Sequence, residues 1–382
     1  MMELRTEEII TMIRRKKRTS RIQLAKLTGL SKPTISSIVN TLIGEGLVVE
    51  TGPGTGKITG GRKPINLSFV ADYKYVLSVD IGGTKTVVAL VDLDGNISQS
   101  DVFPSKSLHT GRGIIEELHS KLEDQIGRIG RDRILGISIG VPGTVDGETQ
   151  IVTYIPSFNI GNLDLKSPLE EAFGLPVIVE NDVTLAAFGE SWIGAASRFD
   201  NVLLVSIGTG IGAGLVIGNT VYKGYTGGAG EVGEMITDWS TESKKTSDFG
   251  RLEEWLSGHS LESFCIENNF EPDIPNLFER FEHDAVVKKR IVDGCVHLAL
   301  AFANSILLLD PARLIIGGGI GFNQYDRIFP IIEETLKSVL PEAAYRSDLL
   351  DKSSLEPYSV VIGGACLAQK RLLLGEICGR IH

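Results

Sequence analysis

Asp80-Ile81-Gly82-Gly83-Thr84-Lys85 is a short run in which nearly every residue type has a use in handling phosphate. Glycines let backbone N–H groups approach phosphoryl oxygens, and Thr84 and Lys85 add a hydroxyl donor and a cation. Asp80 can hold Mg2+ through water. A second turn, Gly208-Thr209-Gly210-Ile211-Gly212, offers the same backbone donors, and Gly317-Gly318-Gly319 lets a nucleoside lie close to the backbone. One glycine turn is weak evidence, because tight hairpins explain most of them; three in this order are much stronger. Between the first two turns lies Val179-Glu180-Asn181-Asp182. An aspartate at a strand end can take the proton of a sugar hydroxyl as it attacks a γ-phosphate, and Asn181 can hydrogen-bond a second hydroxyl. Taken alone, an Asn-Asp pair reads more readily as a helix cap. Glu231, Glu234 and Glu253 add carboxylates, the groups that often hold paired sugar hydroxyls.

These turns need strands to position them. Tyr75–Asp80 and Thr86–Asp92 read as apolar strands flanking the first turn, with Asn96–Phe103 a third. The pattern returns near residue 202, where Val202–Ile207 and Gly212–Ile217 flank the second turn. Two related strand-turn-strand units imply two similar α/β lobes. Helical stretches are expected over Ile114–Ile129, Thr184–Trp192, Leu252–Glu267, Lys288–Leu309 and Ile328–Leu340, with a last strand at Leu314–Ile316.

Residues 1–70 have a different texture. Three helices are expected between Thr6 and Glu50, with Thr19 or Ser20 capping the second, Ser31 the third, and Gly29 as the turn between them. Ile35, Val39, Leu42 and Ile43 form the buried stripe of the third, leaving Lys32, Thr34, Ser36, Ser37 and Asn40 outward. Leu47–Glu50 and Ile65–Leu67 read as strands of a wing that ends at Arg62 and Lys63. Helix, glycine turn, helix and wing make a winged helix-turn-helix, whose second helix of the pair enters the major groove. Short hydrogen-bonding side chains and a cation suit base edges and phosphates, and an arginine among glycines suits a narrow minor groove. Charge agrees: residues 1–70 hold 12 Lys and Arg against five Glu, net +7, whereas residues 71–382 hold 26 against 43, net −17. Contact with double-stranded DNA is therefore expected of the head alone.

The chain is 382 residues long, 42% hydrophobic and 23% charged, which indicates more than one globular domain. Boundaries are expected at 1–70, 71–190 and 191–382. No signal peptide and no apolar run long enough to span a bilayer are read, so the expected location is the cytoplasm, without membrane contact. The four cysteines, Cys265, Cys295, Cys366 and Cys378, are widely spaced and read as free buried thiols.

The motifs DIGGTK at 80–85, END at 180–182, GTGIGAG at 208–214, AGEVGE at 229–234, LEEWLSG at 252–258 and IIGGGI at 315–320 resemble those of the ROK family of repressors, open reading frames and kinases. The resemblance runs from about residue 6 to about residue 375. The head is similar to that of the repressor branch, with its xylose-repressor, NagC- and Mlc-like regulators. The family implies an actin/hexokinase-like fold of two lobes with the sugar in the cleft. It implies Asp182 as catalytic base, Asn181, Glu231 and Glu253 as sugar ligands, and Asn159 from a sugar-contacting loop. It also implies ATP and Mg2+ if the kinase site is active. The family usually has a histidine after Glu-x-Gly and then a cysteine-rich zinc segment. Here Glu234 stands at the histidine position and 238–252 contains no cysteine, so no structural zinc is expected. Thr184 stands where family kinases often have Asn.

Two functions stay open on these grounds. The favoured one is a sugar-responsive transcriptional repressor of carbohydrate-utilisation genes, a homodimer or dimer of dimers on an operator. The alternative is an ATP-dependent sugar kinase with an accessory DNA-binding head. A scaffold binding neither DNA nor nucleotide would not need the glycine turns.

Overall fold

The computed structural model describes residues 2–53, 64–105, 110–237 and 251–374. The head comprises α1 (Met2–Lys16), β1 (Thr19–Ser20), α2 (Arg21–Thr28), α3 (Lys32–Gly44), β2 (Val48–Pro53) and β3 (Ile65–Phe69), with sheet order β1-β3-β2. Ser20 and Ser31 cap α2 and α3 by accepting from the N–H groups of Gln23 and Thr34. Pro33 sits in the first turn of α3, where its missing N–H has no partner to lose. Gly29, at φ +69, ends α2 in a conformation that favours glycine. Ile9, Ile13, Leu24, Ile35, Ile38, Val39, Leu42, Leu47 and Leu67 fill the head's core. The stripe expected on α3 is there, with Ile38 added and Ile43 at its margin.

The first lobe contains β4 (Tyr75–Ile81), β5 (Lys85–Asp92), β6 (Ile97–Pro104), α4 (Gly111–Ile129) and β7 (Ile134–Val141). A small sheet follows, β8 (Thr144–Val145), β9 (Val152–Ile155) and β10 (Ile160–Leu163), then α5 (Lys166–Phe173), β11 (Val177–Asn181) and α6 (Asp182–Trp192). The main sheet runs β11-β7-β4-β5-β6, antiparallel from β4 to β6 and parallel from β4 through β7 to β11. The second lobe has β12 (Val202–Ile207), β13 (Ile211–Ile217), β14 (Thr220–Tyr222), α7 (Glu253–Leu256), α8 (Gly258–Glu267), α9 (Ile274–Glu279) and α10 (Ala285–Leu309). It continues with β15 (Arg313–Gly317), α11 (Gly318–Asn323), α12 (Tyr325–Val339), β16 (Leu350–Lys352) and α13 (Ser359–Ala368). Its sheet, β14-β13-β12-β15-β16, has the same order and the same strand senses as the first, read from the other edge. The repeat seen at two turns therefore extends to five strands and to the helix that follows the last of them.

Those two final helices are exchanged. α6, which ends the first lobe's strand order, lies on β13 of the second: a Cβ on Gly214 would sit 2.5 Å from that of Ala187. α13, which ends the second lobe's order, lies on β4 and β7 of the first, where a Cβ on Gly364 would meet the Ser78 and Ser138 hydroxyls at 2.6 Å. The two helices cross at glycines, since a Cβ on Gly189 would come 2.9 Å from Gly363 Cα. Residues 359–368, expected within the last domain, thus complete the layer over the first sheet.

Two further expectations change. α10 is long and apolar enough, by length and composition, to cross a bilayer, contrary to the reading that no such run exists. More than half of its apolar window is buried, and Ile291, Leu298, Phe302 and Ile306 belong to the second lobe's core. The helix expected over Leu252–Glu267 breaks at Ser257, whose side chain caps α8 so that Gly258 can donate to the Gly208 carbonyl at 2.8 Å. Cys265, Cys295 and Cys366 are free and buried; Cys378 lies outside the described residues.

Candidate functional site

β11 and α6 bring Asn181 and Val183 to a cleft between the lobes, lined also by Gly143, Thr144, Gly212, Gly230 and Glu231, with Asp182 between the first two in the chain. Asn181 caps α6, accepting from Thr184 N–H at 2.9 Å and donating to the Gly143 carbonyl at 3.2 Å. It is both a cap and part of the cleft wall. Asp182 accepts from Val183 N–H at 2.8 Å. Burial, with Glu231 as a like charge, pushes its carboxyl up to about 7. Glu231, Glu234 and Glu253 lie close enough to act on one another: burial and then Glu234 raise Glu231, and burial is the first cause that raises Glu253. Glu253 accepts from Ile211 N–H at 2.6 Å, in space that Gly210 and Gly233 leave for it, since a Cβ on either would clash with its side chain at 2.6 Å. Gly230, at φ +102, brings the 229–234 loop against β13, and its carbonyl accepts from Ala213 N–H at 2.7 Å. Asn159, at φ +53, lies in the β9–β10 hairpin with its side-chain carbonyl held by Tyr154 OH at 3.1 Å. That hairpin borders Gly83, near Ser157, and Asn159 does not line the cleft described above.

The three glycine turns converge. Gly82 N–H donates to the Lys85 carbonyl at 3.0 Å, leaving Gly83, Thr84 and Lys85 exposed. In the second turn Gly208 N–H donates to the Gly210 carbonyl at 2.9 Å, and the Thr209 carbonyl accepts from His259 N–H at 3.1 Å. Gly208 faces Gly319. Gly318, at φ +79, packs on the end of β12, where a Cβ would meet Ile207 and Ser206 at 2.6 Å. Its N–H is already engaged, donating to Glu356 Oε1 at 2.9 Å. Asp80, at the other side of the same space, is pushed up to about 7 by burial first, then by Asp182 and Glu356, with Lys85 opposing. Asp182, Glu356 and Lys85 thus all lie within electrostatic reach of Asp80.

On the head, Lys32, Ser37 and Asn40 are exposed and Thr34 and Ser36 half-buried along the outer side of α3. Thr34 Oγ1 lies 2.7 Å from Ser31 Oγ, and Arg21 donates to Asn40 at 2.9 Å while pairing with Glu50. Arg62 and Lys63 lie outside the described residues. The basic last turn of α1, Arg14-Arg15-Lys16, is turned partly toward the body. Arg14 is buried against the body, 5.2 Å from the Trp192 ring centroid, 3.4 Å from the Trp192 carbonyl and from Gln369 Oε1, and 4.0 Å from Asp94. Arg15 donates to the Ser197 carbonyl. Leu93 and Leu373 of the body belong to the head's own core cluster.

A ROK family pattern matches residues 76–371. The chain belongs to the ROK family. A winged helix-turn-helix DNA-binding pattern matches residues 2–49 of this ROK protein. A putative xylose repressor of Caldicellulosiruptor sp. (strain Rt8B.4) is 33% identical over 320 residues, 79% of this chain and 80% of the relative. A crystal structure described as a ROK family transcriptional regulator, homolog of the E. coli MLC protein, has a TM-score of 0.83 at 26% identity and covers 100% of this chain and 98% of that one. A ROK hexokinase from Thermus thermophilus has a TM-score of 0.68 at 25% identity over 78% of this chain and 99% of its own.

Sequence reasoning missed four residues of this ROK protein that the fold brings into play: Glu356, Arg14, Glu190 and Lys223. Lys223 pairs with the buried Glu180 at 2.6 Å, next to Asn181. None belongs to a motif; each acquires its role only through partners far away in the chain. The raised carboxyls have a measurable consequence. A carboxyl whose pKa is higher in the folded state than its ordinary 3.8 contributes stability below that value, and loses it as pH rises through about 7. The melting temperature is expected to fall between about pH 4 and pH 7, and Asp182→Asn to flatten that fall. An equal slope in wild type and variant would contradict the assignment.

Proposed function

We propose that this chain is a sugar-responsive DNA-binding transcriptional regulator, a repressor of carbohydrate-utilisation genes that works in the cytoplasm as a homodimer or dimer of dimers. Its modules are the head to about residue 70, a first lobe to about 190, and a second lobe that returns α13 to the first. A monosaccharide or sugar derivative lies in the cleft, its hydroxyls held by Asn181, Asp182, Glu231, Glu234 and Glu253, with Asn159 approaching from the hairpin. Lys32, Thr34, Ser36, Ser37 and Asn40 face the operator's major groove, with Arg62 and Lys63 at the wing. No structural zinc enters this reading. The relative named a putative xylose repressor makes xylose the first sugar to test.

One observation carries the reading. α6 begins at Asp182, between the cleft-lining Asn181 and Val183, and ends at Trp192, against Arg14 of the head. Its 11 residues form a rod of about 16 Å, so a group that moves Asp182 on binding also bears on the seat of the DNA-binding helices. Ligand control then requires only that the two head positions differ in sugar affinity, because half-sites about 34 Å apart demand a fixed spacing of recognition helices.

The test is made in the full chain, because removing the head would expose Leu93 and Leu373. Lys32→Ala, Ser37→Ala and Asn40→Ala together are expected to weaken binding at least 100-fold to a DNA fragment selected by the wild-type protein, each base contact contributing about 1–3 kcal/mol. The xylose-induced rise in melting temperature should be unchanged. Retained DNA affinity in a folded variant would remove α3 from the interface. The kinase alternative is favoured by one observation, Asp182 at the cleft with its carboxyl at about 7, close to the value that suits a base at neutral pH. It stands or falls on phosphoryl transfer from ATP to a sugar.

A further inference from the structure

Each lobe places one carboxylate after its last parallel strand. In the first lobe it is Asp182, directly after β11; in the second it is Glu356, four residues after β16 and three before α13. The two sheets have the same order and sense, so these acids occupy related places in the two lobes, and both act on Asp80. Their surroundings differ. Asp182 accepts from the N–H next to it, that of Val183, whereas Glu356 reaches across to the third glycine turn and accepts from Gly318 N–H at 2.9 Å. The same oxygen would lie 3.3 Å from a Cβ on Gly317. Glu356 is held from behind: Ser353 Oγ, Ser354 N–H and Oγ, and Leu355 N–H all donate to the buried Glu190, and Ser353 N–H donates to the Ile316 carbonyl of β15.

We propose that Glu356 is a specificity residue that excludes nucleoside triphosphates from this cleft, so that the protein answers to the sugar alone. This deepens the regulator reading and rests on it. A backbone N–H in the third glycine turn is a donor open to a nucleotide lying against that backbone, and here the chain's own carboxylate takes it. A triphosphate entering this space would lose that donor and meet a fixed negative charge beside Asp80 and Asp182, with Lys85 as the cation that acts on Asp80. Like charges a few ångströms apart in a partly buried site repel strongly. The cleft therefore keeps the glycine turns as structure, since Gly318 has room for no Cβ, without keeping their use.

The experiment is a calorimetric titration of the full-length protein with the magnesium complex of a non-hydrolysable ATP analogue, at fixed ionic strength. Glu356→Gly frees the Gly318 N–H and removes the charge, whereas Glu356→Gln removes the charge and keeps an acceptor of the same shape. The wild type is expected to show no saturable binding up to about 1 mM, Glu356→Gly a gain of at least tenfold, and Glu356→Gln a smaller gain. Circular dichroism and the xylose-induced shift in melting temperature check that each variant folds. Saturable binding by the wild type below about 0.1 mM would overturn the proposal, as would gains under tenfold in folded Glu356→Gly. Operator binding by the wild type is read separately, so a failed regulator assignment would not be mistaken for a failed role of Glu356.

Discussion

Glu190→Ala is expected to lower the unfolding free energy by about 3–5 kcal/mol, the usual cost of removing one member of a buried charged network. Glu190 is fully buried in α6, and its carboxylate accepts from two hydroxyls and three backbone N–H groups: Ser353 Oγ, Ser354 Oγ, and the N–H groups of Ser354, Leu355 and Ala195. Alanine would leave these donors facing each other in a space water enters poorly, and each unpaired buried donor costs about 1–3 kcal/mol before relaxation. The residue also fastens the helix of one lobe to the segment that leads into α13 of the other, so its loss weakens both lobes together. Urea denaturation at pH 7 measures the change. A loss below about 1 kcal/mol would mean that the 353–355 segment finds other partners and does not depend on Glu190.

Arg14→Met is expected to separate the two binding events. Methionine keeps an apolar body of similar length against Trp192 while removing the charge and five donors. The joint it alters is incompletely satisfied. Arg14's hydrogen bonds to Trp192 and Gln369 are long, at 3.4 Å, and Trp192 Nε1, Gln369 Nε2 and Asp94 Oδ1 are buried there without a hydrogen-bond partner. A joint with unpaired polar atoms has other arrangements close to it in energy, which a switch needs. In the variant, sugar affinity and DNA affinity should each stay within a few-fold of wild type, while the sugar-dependent change in DNA affinity falls from its wild-type factor to near one. Fluorescence anisotropy of labelled operator DNA, with and without xylose, reads all three quantities. A variant that still responds to sugar as the wild type does would take the Arg14 joint out of the coupling.

Chemistry that resides in local runs was legible in the sequence. The turn at 80–85 and its counterpart at 208–212 are recognisable because glycines with polar partners at fixed spacing have few other uses, and they led correctly to two related lobes. Asp182 stood out because it directly follows an apolar strand, β11. α13 was not. Ser359–Ala368 carries two glycines and no polar face, because it is buried on all sides and must approach α6 closely, so neither amphipathic period nor helix propensity marks it. Arg14 read as one of 12 cations on a basic head, and only the packing of α1 shows it turned inward. Glu356 carries no local signal: a glutamate before a proline near the end of a chain is ordinary until β15 and β16 set it beside Gly318.

The exchange of final helices between the lobes also governs the order in which the molecule can be finished. The first sheet is translated by residue 181, yet the helix that covers Ser78 and Ser138 is not made until residue 368. At about 5–20 residues per second, a ribosome needs roughly 10–35 s to make the residues between. During that interval the head has emerged but lacks Leu373 and Gln369 for its seat. A nascent chain thus carries its recognition helix before it has the body that aims it, and operator control begins only when the last helix closes the first lobe.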